Sequence, residues 1–247
     1  MRSQRRLVSP LEAIPEGIFT NKWSMDENSG TTLVDSIGGI NMSYPFDLAT
    51  SSVVGQVGNA IKFDLQSRNA QTAVDTSLSW IQNIGGLNKA IPFTVMFWLN
   101  DSGGSFNPIM SYGSGGFYHF YLSKNQNLAN ILFSYNSNGI DEIIGGRLGG
   151  LGIYNSNNHF ALVFDPYNTK NQNIIEYYIN GVIEGSFNAV IPSDGSLRLE
   201  SHYFTAGGFG YTGSRTSIFT GWQDEIRFAM GSILKPEQIL AIYNSEK

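Results

Sequence analysis

Glycine pairs divide this chain into short pieces. Seven Gly-Gly dipeptides are spread along its 247 residues, and many of the segments between them are runs of aromatic and β-branched residues. Glycine pairs favour turns, whereas short runs of aromatic and β-branched residues favour strands. From Ile18 onward the pattern therefore predicts short antiparallel strands joined by turns rich in Gly, Asn, Ser and Asp.

Two segments show how such strands would be arranged. Nearly every residue from Phe93 to Leu99 is apolar, which is typical of an inner strand covered on both faces in a stacked sandwich. Asn180-Gly181 lies between two apolar runs and is the strongest short signal for a β-hairpin. Both segments favour an all-β, antiparallel sandwich.

One helix is predicted, close to the end of the chain. Pro236 is compatible with a first helical turn. Ile239, Ile242 and Tyr243 then fall at the spacing of a single apolar stripe. A short C-terminal helix is therefore expected to pack against the strands.

Composition narrows the classes of function. Charged residues make up only 14% of the chain, against about 25% in an ordinary globular protein. The net charge of −5 does not fit nucleic-acid binding, which needs a basic patch. The chain has no cysteine, which excludes disulfides and thiolate metal sites. No apolar run reaches the 18 residues of a membrane span.

The domain boundaries follow from the first residues. Residues 1–17 contain three arginines and two helix-breaking prolines, with no apolar stretch like that of a secretory signal. We interpret residues 1–17 as an N-terminal arm and residues 18–247 as one domain. The arm is either a flexible tail or a segment that docks onto other virion or assembly proteins. A virion or extracellular location without a classical signal peptide is expected.

Five segments, taken in order, resemble those of a known family. They are "WSMDENSGTTLVDSIGGIN", "GQVGNAIKFD", "PFTVMFWLN", "NHFALVFD" with "IEYYINGVIEGS", and "GWQDEIRF" with "ILKPEQILAIY". Together they resemble the laminin-G-like (LamG) branch of the concanavalin A-like lectin/glucanase superfamily. The resemblance implies a jelly-roll sandwich of two antiparallel sheets with a short C-terminal helix.

The same resemblance implies a structural calcium ion. In that family an acid of the "VDSIGG" loop and an acid of the closing strand supply ligands, and Asp35 and Asp224 occupy these positions. Asp26 is a possible third ligand. The alternative is that Asp35 caps a glycine turn and Asp224 accepts hydrogen bonds from nearby backbone.

Catalysis by a carboxylate pair is not favoured by the spacing of the acids. Glycosidases of this fold carry carboxylates on alternate residues of one strand, which brings both to one face. Asp224 and Glu225 are adjacent, as are Asp141 and Glu142, so each pair is expected to point to opposite faces. We expect no catalytic residues, with a glycoside hydrolase of the same fold as an alternative, because acids from different strands could converge. His159 is expected to make a structural hydrogen bond.

The candidate ligand contacts are aromatic residues in predicted turns. These residues are Tyr44, Phe46, Trp80, Tyr154, Phe209 and Tyr211. Tyr154, beside Asn155, and Phe209 with Tyr211 are surrounded by Gly, Asn and Ser, the groups that bond sugar hydroxyls while a ring packs on the sugar's apolar face. We therefore expect a non-catalytic, lectin-like module that binds a glycan or cell-surface polysaccharide for host attachment, as a bacteriophage tail or capsid decoration protein. The alternative is a structural assembly protein whose loop aromatics contact protein partners.

Overall fold

The computed structural model describes residues 16–64, 69–73, 75–102, 106–114, 117–125, 128–137, 140–148, 156–168, 173–188, 197, 199, 202–208 and 219–247. The predicted arm lies almost wholly outside these residues. The first nine strands are β1 (Asn21–Trp23), β2 (Thr32–Leu33), β3 (Met42–Ser43), β4 (Ser52–Val54), β5 (Asn59–Phe63), β6 (Ala70–Thr72), β7 (Ile81–Ile84), β8 (Leu87–Ala90) and β9 (Phe93–Asp101). The other elements are β10 (Phe106–Ser114), β11 (Phe117–Asn125), β12 (Leu128–Ser137), β13 (Ile140–Leu148), β14 (Asn157–Phe164), β15 (Asn173–Ile179), β16 (Val182–Asn188), β17 (Tyr203–Ala206), β18 (Gly221–Met230) and the helix α1 (Pro236–Glu246).

The strands form two large sheets, in which all pairings are antiparallel. The first has the order β16-β15-β14-β9-β18-β5-β4, and β1 pairs with the second half of β18. The second has the order β13-β12-β11-β10-β17-β6-β3-β2. Strands β7 and β8 form a separate hairpin. The prediction of an all-β, antiparallel sandwich with a short C-terminal helix is confirmed.

The main core lies between the two sheets and is largely aromatic. From the first sheet, Phe93 and Phe228 point into it, and Phe204 does so from the second. Trp23 packs on both sheets, stacking on Phe204 with ring centroids 5.5 Å apart and meeting Phe228 edge-on at 6.2 Å. Large aromatic side chains bury much apolar surface each. The short strands are thus held together by their side chains as well as by their hydrogen bonds.

The apolar strand β9 is covered on both faces, as predicted, although the second cover is a helix. Phe97 and its alternate neighbours face the main core, while Met96 faces a smaller cluster. That cluster includes Ile239 and Ile242 of α1, two residues of the predicted stripe. The helix begins at Pro236, as predicted. None of the described helices is long and apolar enough to cross a membrane.

Within the described residues, two glycine-containing turns lie where the sequence predicts them and one does not, whereas the Gly-Gly pairs at 103–104, 115–116 and 149–150 lie outside those residues. Asn180 and Gly181 both have positive φ, at 52° and 78°, as the central residues of a type I′ hairpin turn require. Gly85-Gly86 forms the turn between β7 and β8. Gly145-Gly146, by contrast, lies inside β13 and pairs with β12. The prediction of a turn there is wrong.

Within the described part of the chain, the side chain of His159 does not make the structural hydrogen bond that the sequence predicts. Its imidazole is fully buried, and neither ring nitrogen has a hydrogen-bond partner among the described residues. The ring instead meets Trp98 edge-on, with centroids 5.3 Å apart, and lies against Tyr243 of α1. Burial lowers the pKa of His159 to about 4, against an opposing effect of Glu246. The residue is therefore a neutral, aromatic packing element at ordinary pH.

Candidate ligand-binding cleft

An open cleft of about 700 Å³ lies at the end of the first sheet where β9 begins and β14 and β18 end. Its apolar lining residues are Ile40, Ile84, Ile91, Pro92 and Met230. Its polar lining residues are Thr20, Asn21, Ser77, Gln82 and Tyr167, and Gly38 and Gly231 complete it. A mostly apolar concavity with a few polar groups is the usual form of a small-ligand site.

The first wall is the glycine loop that follows β2, and Asp35 holds it in place. The Asp35 carboxylate accepts five hydrogen bonds of 2.7–3.1 Å. The donors are the side chain of Asn21 and the main-chain N–H groups of Lys22, Ile37, Gly38 and Ile40. Burial opposes ionisation, but these hydrogen bonds outweigh it and hold the pKa of Asp35 below its usual value.

Gly38 is needed in this wall because the chain passes so close to its neighbours. A Cβ atom at Gly38 would lie 2.3 Å from Asn21 Nδ2 and 2.5 Å from the carbonyl oxygen of Thr20. The Trp23 indole also donates to the carbonyl oxygen of Ile40, at 2.9 Å. The "VDSIGG" loop thus has a rigid shape set by one carboxylate, one indole and one glycine.

The second wall is the β7–β8 hairpin, which Trp80 anchors to the core. Trp80 is buried and meets Phe164 edge-on with ring centroids 5.2 Å apart. Its carbonyl oxygen accepts a hydrogen bond from the Ile91 N–H at 2.8 Å. Gln82 and Ile84 then project from β7 into the cleft, and Ile84 is 45% exposed.

Tyr167 is the exposed aromatic residue of the cleft, and the sequence analysis missed it. It follows β14 in a turn where its N–H donates to the Asp165 carboxylate at 3.0 Å. Its side chain is 57% exposed, and its hydroxyl donates to the carbonyl oxygen of Ala90 at 2.5 Å. The ring is therefore accessible and fixed at one edge. The signal was available, because Asp-Pro-Tyr-Asn is a turn sequence carrying an aromatic residue.

The aromatic residues predicted as ligand contacts are not among the described residues that line the cleft. Tyr154, Asn155, Phe209 and Tyr211 all lie outside the described residues. Among the other predicted turn aromatics, Tyr44 and Trp80 are buried and Phe46 is 42% exposed. Tyr44 and Trp80 are thus core residues rather than ligand contacts. Trp80 contributes to the cleft only by holding the hairpin in place.

The chemistry of the cleft is that of hydrogen bonding and apolar contact. Among the described residues that line it there is no Asp, Glu or His. Glycoside hydrolysis by the usual mechanism needs two carboxyl groups on either side of the scissile bond. The described lining thus supplies groups for binding and none for that proton transfer.

The three aspartates considered as calcium ligands accept hydrogen bonds from main-chain N–H groups in the structure. Asp35 accepts its five N–H donors, the contact that the sequence left open as the alternative to a metal. Asp224 Oδ2 accepts from the N–H groups of Gln56 and Val57, both at 2.9 Å, and Asp26 Oδ1 accepts from Asn59 at 2.8 Å. Calcium needs six to eight oxygen ligands. Over the described part of the chain no three acidic or histidine side chains form a group suited to a metal ion.

Asp224 and Glu225 occupy an irregular stretch of β18. The register against β9 shifts between Asp224 and Arg227, and Glu225 has a φ of +53°, so the strand bulges there. Both acids are buried. Burial raises the pKa of Asp224 to about 7, the charges of Glu225 and Asp26 add to this effect, and the two N–H donors oppose it. The acid pair is structural, tying β18 to its neighbours.

Comparison with known proteins defines the class of fold. No family model matches the chain, and no curated protein matches it. Several solved structures do, and they share an all-β sandwich with it.

Two groups of solved structures are similar over nearly the whole chain. A Trypanosoma rangeli sialidase in complex with 2,3-difluorosialic acid is 14% identical with a TM-score of 0.63, over 95% of this chain and 34% of the sialidase. The receptor-binding domain of botulinum neurotoxin C/D mosaic serotype is 15% identical with a TM-score of 0.60, over 92% of this chain and 51% of that domain. This chain therefore spans between a third and a half of these proteins. At such identity the likeness shows the fold alone.

Proposed function

We propose that this chain is a non-catalytic, glycan-binding module and that the cleft beside Tyr167 is its binding site. The observation that carries the proposal is an accessible, anchored aromatic ring in a cleft whose polar groups are uncharged. A sugar presents an apolar face to such a ring and hydroxyls to side chains such as Gln82 and Ser77. The apolar wall formed by Ile40, Ile84 and Ile91 then excludes water from the bound face.

The similar structures support the class of ligand. One group is a sialidase, described in complex with sialic acid and its derivatives. The other is a receptor-binding domain of a toxin. The proposal of binding without hydrolysis rests on the lining residues of the cleft rather than on these structures. The glycosidase alternative requires a pair of carboxylates that the described lining does not contain.

Tyr167→Ala is expected to weaken binding of the sugar about tenfold. Aromatic contacts of this kind are worth about 0.5–1.5 kcal/mol beyond their buried area, and each 1.4 kcal/mol is a factor of ten in affinity. The measurement is a glycan array to select a ligand, followed by isothermal titration with the wild type and the variant.

Tyr167→Phe is the matched control, because it keeps the ring and removes only the hydroxyl that bonds Ala90. Its affinity is expected to stay within about threefold of the wild type. If no polysaccharide binds at millimolar concentration, the proposal is wrong and an assembly role with protein partners gains support. Hydrolysis of an oligosaccharide that is lost on changing one acid would instead favour the enzyme.

We also propose that the module belongs to a virion, as a tail or capsid decoration protein. The support is compositional: only 14% of the residues are charged, and the chain has no cysteine and many Asn, Ser and Gly residues. The same composition suits a structural assembly protein. Identifying the particle or cell fraction that contains the native protein tests the location directly.

We propose separately that a calcium ion binds near Asp224. The hydrogen bonds of the three aspartates leave this position as the candidate. Asp224 Oδ1 is buried and has no hydrogen-bond partner among the described residues, and the charge of Asp26 acts on the same carboxyl group. An ion bound there would relieve this repulsion. Adding a chelator is then expected to lower the melting temperature by several degrees. An unchanged melting temperature, with and without added calcium, would rule the ion out.

A further inference from the structure

Negatively charged side chains lie close to the cleft, although none belongs to its described lining. Three aspartates stand behind the lining residues, and each accepts hydrogen bonds from their main-chain N–H groups. Asp35 bonds Gly38 and Ile40, Asp75 bonds Ser77, and Asp165 bonds Tyr167. The three carboxylates come from three different loops. Each therefore lies next to a different part of the lining.

Positively charged side chains do not balance these carboxylates in the described lining. The described residues that line the cleft include no lysine or arginine. Lys89, the one lysine of the β7–β8 hairpin, pairs with Gln82 across the hairpin but does not line the cleft. The strongest protein partner of a sugar carboxylate is a cation, above all the paired N–H groups of arginine. The described lining does not supply one.

We infer that this cleft takes uncharged sugars and discriminates against acidic ones. The inference rests on the proposed function and goes further, because it names the class of glycan. A sugar carboxylate entering the cleft would approach three fixed negative charges and leave its hydration shell without gaining a cation. A protonated amine would be attracted by the same three charges, so an amino sugar is not disfavoured. Neutral hexoses, deoxyhexoses and N-acetylhexosamines fit the lining best.

The wall formed by Ile40, Ile84 and Ile91 adds a preference within the neutral class. Apolar side chains reward contact with methyl groups and with the unsubstituted faces of sugar rings. Deoxy and N-acetyl sugars present such groups, so we expect them to bind more tightly than the parent hexoses.

The test uses matched sets of oligosaccharides with the full-length protein. Each set contains a neutral oligosaccharide, a derivative with a uronic or sialic acid, and a derivative with a free amine. Isothermal titration is carried out at low and at high salt. The acidic member is expected to bind about fivefold to tenfold more weakly than the neutral one. The gap is expected to narrow at high salt, because Asp75 and Asp165 are partly exposed and salt screens their charges.

Two variants separate charge from shape. Gln82→Lys places a cation in the cleft and is expected to raise the affinity for the acidic member several-fold, relative to the neutral member. Gln82→Met is the uncharged control of similar length, and it is expected to leave the ratio of the two affinities unchanged. Lys89→Met tests the nearby lysine in the same way and is also expected to leave the ratio unchanged.

The outcomes are distinct. Equal or tighter binding of the acidic member overturns the inference while leaving glycan binding intact. Loss of acidic-sugar binding in Lys89→Met would identify that lysine as an acid-recognition residue and would also overturn it. If no member of any set binds, the proposed function fails and this inference fails with it.

Discussion

Asp35→Ala is expected to lower the free energy of unfolding by about 3–5 kcal/mol. The Asp35 side chain is buried, at 4% exposure, and accepts five hydrogen bonds. Alanine would leave those N–H donors without an acceptor, and a buried donor without a partner costs about 1–3 kcal/mol. Urea denaturation with a two-state fit measures the change.

Asp35→Asn is the matched control, because it keeps one acceptor oxygen and the shape of the side chain. It is expected to cost less than the alanine variant and more than an exposed Asp→Asn change. The pH dependence gives an independent check. The pKa of Asp35 is lower in the folded protein than in the unfolded chain, so its contribution is complete above its unfolded pKa of 3.8. That contribution is lost as the pH falls through the lower, folded value.

A cost of less than about 1 kcal/mol for Asp35→Ala would contradict the hydrogen bonding seen at the glycine loop. The same variant should also weaken the sugar affinity, because Gly38 and Ile40 line the cleft and are held by Asp35. Stability and binding are therefore expected to fall together for this residue. For Tyr167→Ala, binding alone is expected to fall.

Strand positions were the most predictable part of the fold. The apolar run from Phe93 to Leu99 predicts a strand buried on both faces, since side chains alternate along a strand and every position except Thr94 is apolar. What covers the second face could not be read from the run itself. The helix that does so is 140 residues further along the chain, and only the stripe of Ile239 and Ile242 indicated that it had a face to bury.

The sequence-based predictions were wrong where a short segment is compatible with two backbone conformations. Gly145-Gly146 suits a turn, yet glycine also pairs in a strand when the neighbouring residues supply the ladder. Asp224 and Glu225 were expected to alternate between two faces. The bulge at Glu225, with its positive φ, breaks that alternation. A bulge adds one residue to one strand only. A prediction that assumes strict alternation of side chains along a strand cannot detect it.

The cleft was the least predictable feature, because its residues are distant in sequence. Asn21, Gln82, Tyr167 and Met230 come from four separate segments and meet only through the sheet order. The resemblance implied a role for the "VDSIGG" loop but assigned it to a metal. In the structure that loop forms one wall of the cleft, with Asp35 bonded to its N–H groups.

Glu225→Gln is expected to destabilise the protein by about 1–3 kcal/mol, because it removes the charge between two cations. Lys22 and Arg227 lie directly opposite each other on β1 and β18. Glu225 bonds both, with Lys22 Nζ at 2.8 Å, and its side chain is only 3% exposed. Arg227 keeps its ion pair with Glu246 and Lys22 is partly exposed, so the cost is smaller than the about 3–5 kcal/mol of a buried charge that loses its last partner. Like charges directly opposite on neighbouring strands add to it.

Arg227 also extends this network to the helix. Its guanidinium lies 2.5 Å from Glu246 Oε1, and Glu246 Oε2 accepts a hydrogen bond from the Trp98 indole at 2.8 Å. In Glu225→Gln the remaining pair with Glu246 keeps α1 attached, so the helix amides are expected to stay protected in hydrogen exchange. In Arg227→Met that link is lost, and the same amides are expected to exchange faster at the C-terminal end of α1.

The double variant Glu225→Gln with Arg227→Met distinguishes a charge network from simple packing. If the charges interact, the double variant is less destabilised than the sum of the two single variants by about 1–3 kcal/mol. Lys22→Met is the control, since its side chain is 31% exposed and a partly exposed pair is worth about 1 kcal/mol or less. Additive effects of Glu225→Gln and Arg227→Met would contradict the network. The bulge that places Glu225 between the two cations would then be a consequence of strand geometry alone.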